Sequence, residues 1–243
     1  MSKKLGLKLT PLVGLSLILL FAIPRFYVVL EANQTGDYRF TSVIFMILIF
    51  LPFVLLRKEG LKQIGWSKVK DARWVLRGFI VGIILSSIGF LVGWLLYEYS
   101  VSNWYVYISR SFNTVPEAMD VTTRFKFFIL FAVVSMLFSP LGEELMYRGL
   151  IHQSFAPKFG ENVASKIDSS AFALTHLAHF GFVYDQGEWQ FLFVPALLWV
   201  ALMYFLCRLF FLMKIKSGSL FGPISCHAGF NLGMTFWIFY FVL

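Results

Sequence analysis

Residues 127–149, FFILFAVVSMLFSPLGEELMYRG, combine a long apolar run with an abruptly polar end. No charged residue interrupts the run, and two adjacent glutamates, Glu143 and Glu144, follow it almost directly. A helix rises about 1.5 Å per residue, so a bilayer core about 30 Å thick needs about 20 apolar residues. The stretch therefore predicts a membrane-spanning helix with ionisable groups at its end, which require a partner or a function. The first half of the chain has almost no such group in a span apart from Arg25, near a span end.

The composition of the whole chain agrees with this stretch. Of its 243 residues, 58% are hydrophobic and only 14% are charged, whereas about 25% of a typical soluble domain is charged. A single water-soluble domain of this size has too little interior to bury so much apolar surface. The chain is therefore predicted to be a membrane protein, which excludes disordered, collagen-like and disulfide-scaffold proteins. Its net charge of +8 fits basic loops beside a membrane, so we expect membrane lipids and no nucleic acid among its partners.

The apolar runs predict an all-α fold, a polytopic transmembrane helical bundle of about seven spans, or about six to eight. The predicted spans are residues 11–30, 41–56, 78–97, 125–147, 169–183, 191–213 and 219–243. We divide the chain at residue 125. Residues 1–124 hold the N-terminal transmembrane spans, a basic segment at 57–77 and an outer loop, and residues 125–243 hold the polar motifs described below.

Basic residues concentrate in alternate loops of the seven-span arrangement. They are Lys3, Lys4, Lys8, the segment 57–77, Lys158, Lys166, Lys214 and Lys216. Because positively charged loops stay in the cytoplasm, we place these loops and the N-terminus there. The opposite side carries Asp37, Arg39, Glu98, Arg110, Glu117, Asp120, Asp185 and Glu188. The Lys-rich and Phe-rich composition, with 29 Phe, favours a bacterial cell membrane.

The first polar group is the glutamate pair of the opening stretch. Adjacent residues on a helix point about 100° apart, so Glu143 and Glu144 cannot easily share a partner. Glu144 and Arg148 lie four apart on one face in the favoured acid-before-base order, so Arg148 is expected to hold Glu144 ionised. Glu143 has no cation nearby in the sequence and becomes the candidate proton acceptor. The plainer interpretation is a helix end with a surface ion pair, and His152 just beyond it is predicted to be an ordinary residue.

Two further polar groups follow in later spans. His176 and His179 lie three apart near one helix face, and His227 and Asn231 lie one turn apart on another. Two polar side chains placed like those of His227 and Asn231 can both donate to one developing oxyanion. Each group can equally be an interhelical hydrogen bond of a membrane bundle. Together with Glu143, they are the parts of a water-activating hydrolytic site.

Other chemistries fit the sequence less well. It contains no Gly-x-Ser-x-Gly nucleophile turn and no His-Glu-x-x-His zinc motif. Cys226 is adjacent to His227, so the two side chains point about 100° apart on a helix and form a poor nucleophile pair. A metal held by Glu143, His176 and His227 stays open, since catalytic zinc commonly takes about three His or Glu ligands and a water.

The three polar motifs, in this order, resemble those of a known family. They read Glu143-Glu144-x-x-x-Arg148, Phe172-x-x-x-His176 and His227-x-x-x-Asn231. The set is similar to that of the CAAX protease and bacteriocin-processing (CPBP, or Abi) membrane proteases, which include the type II CAAX prenyl endopeptidases. The resemblance covers about residues 125–235.

This resemblance implies an all-helical intramembrane peptidase whose catalytic core, about four helices, lies in residues 125–243. Carried over by position, Glu143 and His176 activate the attacking water, and His227 and Asn231 stabilise the oxyanion. The supporting residues are Glu144, Arg148 and Phe172. The favoured mechanism requires no cofactor, whereas a divalent metal such as zinc on Glu143, His176 and His227 stays open. The role of His179, an additional polar group, is also open.

The resemblance predicts an endopeptidase that cleaves a membrane-associated peptide or small membrane protein, either a leader or signalling peptide or a CAAX-like C-terminus. One alternative is a non-catalytic membrane scaffold or regulator, or a bacteriocin-immunity protein, that retains the protease fold. A small transporter is a third hypothesis, because Glu and His within spans also build proton relays. No inverted repeat is visible in the sequence, so we rank the transporter last.

Overall fold

The computed structural model describes residues 8–116 and 118–243. Lys3, Lys4 and Glu117, which the sequence assigns to the two sides of the membrane, lie outside the described residues. The helices are α1 (Pro11–Thr35), α2 (Arg39–Leu55), α3 (Lys58–Gln63), α4 (Arg73–Tyr97), α5 (Trp104–Ser109), α6 (Val121–Glu144), α7 (His152–Phe159), α8 (Glu161–Thr175), α9 (Phe193–Ser217) and α10 (Phe221–Trp237). A π-helical segment, Leu145–Ile151, joins α6 to α7, and Ile238–Val242 is also π-helical. Two strands, β1 (Phe182–Asp185) and β2 (Glu188–Phe191), form an antiparallel hairpin.

The predicted polytopic helical membrane bundle is confirmed. In the described part of the chain, four helices are long and apolar enough to cross a bilayer: Pro11–Thr35, Arg73–Tyr97, Val121–Phe159 and Phe193–Ser217. The third of these joins α6, the π-helical segment and α7 into one continuous helix. Leu12 and Leu95 are 73% and 79% exposed. Exposed apolar side chains on spanning helices face lipid, so the described surface suits a bilayer and not water.

The first helix is longer than the predicted span 11–30. Pro11 occupies its first turn, where a missing N–H costs nothing, and the Thr10 hydroxyl accepts the Val13 N–H at 3.4 Å. The helix ends at Gly36, whose φ of +76° is the left-handed conformation that a helix C-cap favours. Arg25 therefore lies well inside a helix and not near its end.

The predicted span at residues 169–183 is wrong. Helix α8 begins at Glu161 and ends at Thr175, and a single 3₁₀ turn follows it. The chain then reverses into the β1–β2 hairpin through Gly181, whose φ of +122° favours glycine. The His176 carbonyl accepts the backbone N–H groups of His179 and Phe180 at 3.0 and 3.2 Å, and the Trp199 indole of the next helix also donates to it at 3.1 Å.

Glycines allow α10 to pack directly on α4. A side chain at Gly82 would meet the backbone of Cys226 and Phe230, and one at Gly229 would meet the backbone of Phe79. Small residues at such crossings let two membrane helices approach closely. This contact fixes the helix that carries His227. The division of the chain at residue 125 remains a prediction.

Candidate active site

Glu143 and Glu144 end α6 and are both fully buried, at 0% exposure. Their arginine partners differ, as the helix geometry predicts, but the His227 ring lies near both carboxylates. The Oε1 atom of Glu144 lies 3.3 Å from Arg148 Nη1 and 3.0 Å from His227 Nδ1. Glu144 therefore links the first motif to the third.

Glu143 pairs with a residue far away in the sequence. Arg25 Nη2 lies 2.5 Å from Glu143 Oε1, and His227 Nε2 lies 3.9 Å from Glu143 Oε2. Neither Glu143 oxygen has a hydrogen bond of good geometry among the described residues. The expectation that Glu143 has no cation thus holds only within its own helix. The spacing of residues along one helix reveals partners a turn away, whereas Arg25 comes from α1, a different helix.

The two histidines after α8 have different partners. His176 Nδ1 lies 2.8 Å from the Phe172 carbonyl, and its ring stacks on the Phe172 ring at 4.1 Å. A carbonyl only accepts, so Nδ1 carries the proton and Nε2 keeps its lone pair in the neutral ring. His179 Nε2 lies 3.2 Å from Arg25 Nη2. Because arginine only donates, His179 accepts this hydrogen bond.

The third motif, on α10, lies opposite the first motif at the end of α6. The His227 ring stacks on Phe210 of α9 at 4.9 Å. Asn231 Nδ2 donates to the Ser135 carbonyl at 2.8 Å. An amide NH₂ has two donors, so one N–H of Asn231 remains for another acceptor.

Arg148 is fully buried between aromatic rings. Its guanidinium carbon lies 4.8 Å from the centre of Phe172 and 5.1 Å from that of Phe210. Asp168 lies on its other side, with 3.8 Å between Asp168 Oδ1 and Arg148 Nε. Two carboxylates and two rings therefore hold one cation, which anchors the middle of the π-helical segment.

No motif in the sequence indicates Asp168, and the sequence predicts no special role for His152. The His152 ring is buried, with Nδ1 2.7 Å from Asp168 Oδ2 and Nε2 2.8 Å from Glu161 Oε2. Contacts therefore run from Glu161 through His152 and Asp168 to Arg148. Asp168 and His152 are 16 residues apart on different helices, so periodicity along one helix could not pair them.

We expect Asp168→Asn to lower the apparent Tm by about 5 °C or more, because Arg148 loses one of its two carboxylates and His152 loses a charged partner. Glu161→Gln is the matched control, since the Glu161 side chain is 66% exposed and contributes little. Thermal unfolding in detergent measures both variants. Equal Tm values for the two would show that Asp168 does not stabilise this cluster.

A cavity of about 680 Å³ lies beside these groups. Its polar lining includes Arg25, His176, His179, His227 and Asn231, and aromatic and aliphatic side chains form most of the rest. This volume lies in the range of cavities that bind small ligands or a short peptide segment. Glu143 does not line the cavity.

The metal set that the sequence leaves open is Glu143, His176 and His227. Within residues 8–116 and 118–243, no group of three His, Cys, Asp or Glu side chains is placed to hold a metal ion. A cation is already present, because the Arg25 guanidinium lies against the Glu143 carboxylate. A metal would have to displace it.

The fold and the cavity show which class of protein this is. It is a polytopic membrane protein in which buried carboxylates, histidines and Asn231 come together within the helical bundle. Residues 125–233 match the model of the family described as type II CAAX prenyl endopeptidase, Rce1-like. The predicted resemblance to the CPBP family of membrane proteases is therefore confirmed over these residues. No curated protein and no solved structure matches the chain. The matched region includes all three motifs, whereas Arg25 lies outside it.

Proposed function

We propose that the chain is an intramembrane endopeptidase that hydrolyses a peptide bond with water activated by Glu143 and His176. The observation that carries this proposal is that His176 lines the same cavity as His227 and Asn231, although the two motifs lie about 50 residues apart on different helices. The family match supports peptidase activity at the level of the family. The catalytic roles of individual residues in this chain are part of the same proposal.

His176 is suited to accept a proton. Its Nδ1–H donates to Phe172, so the lone pair of Nε2 is available to a water in the cavity. In the proposed reaction, the water oxygen attacks the carbonyl carbon while Glu143 takes one of its protons and His176 Nε2 accepts a hydrogen bond from the remaining O–H. The tetrahedral intermediate collapses, the C–N bond breaks, and the leaving amine receives that proton.

His227 and Asn231 are proposed to stabilise the oxyanion of this intermediate. Asn231 offers its second N–H, because the first donates to Ser135. His227 donates through Nε2 only as the imidazolium, since Nδ1–H is directed at Glu144. The carboxylate of Glu144 at 3.0 Å balances that charge. The ion pair with Arg148 in turn fixes Glu144.

We place the basic loops on the cytoplasmic side and the N-terminus with them, in a bacterial cell membrane. Two predicted cytoplasmic segments contact each other, which supports a shared side. The Lys70 N–H donates to the Ser217 carbonyl at 2.8 Å, and the Leu220 N–H donates to the Gly65 carbonyl at 2.9 Å. The proposed substrate is a membrane-associated peptide or small membrane protein, such as a leader peptide or a CAAX-like C-terminus.

The proposal is tested with purified protein in liposomes and a pooled library of prenylated and unprenylated membrane-active peptides, read by mass spectrometry. We expect a discrete set of cleavage products from the wild type. No cleavage by a protein whose thermal unfolding shows it to be folded would contradict the proposal.

A chelator arm of the same assay tests the proposed metal-free mechanism. We expect EDTA or 1,10-phenanthroline to change the initial rate by less than about twofold, because Glu143 already pairs with Arg25. A loss of rate that added zinc restores would contradict this mechanism and leave the protease proposal intact.

The second candidate function is a non-catalytic scaffold that retains the fold. The observation that favours it is the burial of Glu143, which pairs with Arg25 and does not line the cavity. A scaffold would keep its cellular effect after Glu143→Ala and His176→Ala, whereas a protease would lose it.

A further inference from the structure

Arg25 has a buried donor without a partner at the wall of the cavity. Its side chain lines the cavity, and the residue is only 4% exposed. Nη2 contacts Glu143 and His179, but Nη1 has no hydrogen bond among the described residues. Buried donors in proteins are nearly always satisfied, so the free Nη1 indicates a place for an acceptor from a ligand.

The chemistry of the guanidinium specifies the ligand. Arginine presents two parallel N–H groups that match the two oxygens of a carboxylate. Among the described residues that line the cavity, Arg25 is the only lysine or arginine. The remaining wall is mainly apolar, and includes Phe45, whose ring centre lies 5.4 Å from the Arg25 guanidinium carbon. A carboxylate within this cavity would therefore meet Arg25 as the only permanently charged cation among the described lining residues.

We propose that Arg25 binds a carboxylate of the substrate and that this binding uncovers Glu143. The proposal rests on the proposed function for its occupant, a substrate peptide. Bidentate binding through Nη1 also takes an N–H of Nη2, the atom that contacts both Glu143 and His179. In the proposed exchange, the substrate carboxylate replaces Glu143, a group of the same charge, on Nη2. Because Glu143 is 0% exposed, this exchange gives a water access to the base only when a suitable substrate is present.

The carboxylate has two possible sources, the C-terminus of the peptide and an acidic side chain near the cleaved bond. Two pairs of S-farnesylated peptides distinguish these sources. The first pair differs only at the C-terminus, which is a free acid in one peptide and an amide in the other. The second pair differs only at one internal residue, which is Glu in one peptide and Gln in the other. The measurement is kcat/KM in liposomes for the wild type, Arg25→Gln, Arg25→Lys and Arg124→Gln. Arg124 is the matched control, because it donates to the Phe239 carbonyl at 3.0 Å and does not line the cavity.

We expect the wild type and Arg124→Gln to prefer one acidic peptide over its neutral match by about tenfold or more. Arg25→Gln should lose this preference. Arg25→Lys keeps the charge without the two parallel N–H groups of the guanidinium, so its preference should fall severalfold. If Arg25→Gln does not fold, Arg25→Lys shows whether Arg25 binds the carboxylate. Equal rates on both peptides of each pair by the wild type, or an unchanged preference in both Arg25 variants, would overturn the proposal but not the protease assignment.

A binding measurement tests the carboxylate site at Arg25 even when no peptide is cleaved. Fluorescence anisotropy follows labelled acid and amide peptides on Glu143→Gln and on the double variant Arg25→Gln/Glu143→Gln. We expect about tenfold tighter binding of the acidic peptide to the first protein and no difference for the second. Equal affinities for Glu143→Gln would overturn the carboxylate site. A preference without any cleavage would support the site and contradict the protease proposal.

Discussion

Glu143→Gln should lower kcat/KM by about 10²- to 10⁴-fold, the usual contribution of a general base. The amide keeps the size of the glutamate and cannot take the proton of the attacking water. The measurement is the initial rate of peptide cleavage in liposomes. Glu31→Gln is the matched control, because Glu31 is an exposed glutamate on the same helix as Arg25, and it should cleave like the wild type.

The fold of the Glu143 variant needs its own control. Removing the charge of Glu143 leaves Arg25 without its ion pair, and an unpaired buried charge is destabilising. The double variant Arg25→Gln/Glu143→Gln removes both charges, and we expect a higher apparent Tm for it than for Glu143→Gln alone. A folded Glu143→Gln that retains wild-type activity would show that Glu143 is not the base.

Arg148→Ala should be the most destabilising substitution in the site, with the free energy of unfolding lowered by about 3–5 kcal/mol and cleavage lost. The change leaves Glu144 and Asp168 buried without their shared cation and opens the space between Phe172 and Phe210. At about 2–4 °C per kcal/mol for a chain of this size, the apparent Tm should fall by at least about 6 °C.

Two variants test the reason for this loss. Arg148→Lys keeps the charge but not the planar group between the rings, so it should also be destabilised and inactive. Arg208→Ala removes a half-buried arginine of α9 that donates to the Asn162 side chain at 2.8 Å, and it should change the Tm little. If Arg148→Ala unfolds at the wild-type temperature, the buried Arg148 cluster does not stabilise the protein.

The contacts that the sequence predicts are those made within one helix. Glu144 and Arg148 are four residues apart, and helix geometry alone brings them together. The motif order also predicts the family over the C-terminal part of the chain. Helix geometry cannot place Arg25 next to Glu143, or Asp168 next to His152, because each pair joins different helices. These contacts depend on helix packing, which hydrophobic periodicity in a membrane protein leaves undetermined.

The error at residues 169–183 has a related cause. Hydropathy measures apolar length, and this stretch contains enough apolar residues for a span. It does not register that Gly181 takes a positive φ of +122°, which residues within a helix do not adopt. The backbone therefore leaves the helical conformation before the apolar pattern ends.

The most direct test of the proposed protease activity compares the wild type and Glu143→Gln on one cleavable peptide in liposomes. Mass spectrometry counts the product, and thermal unfolding shows that both proteins are folded. The proposed mechanism predicts a single new N-terminus from the wild type and product reduced by at least about 100-fold from Glu143→Gln. Equal product from both proteins, or none from a folded wild type, would contradict the claim that this chain is a protease with Glu143 as its base.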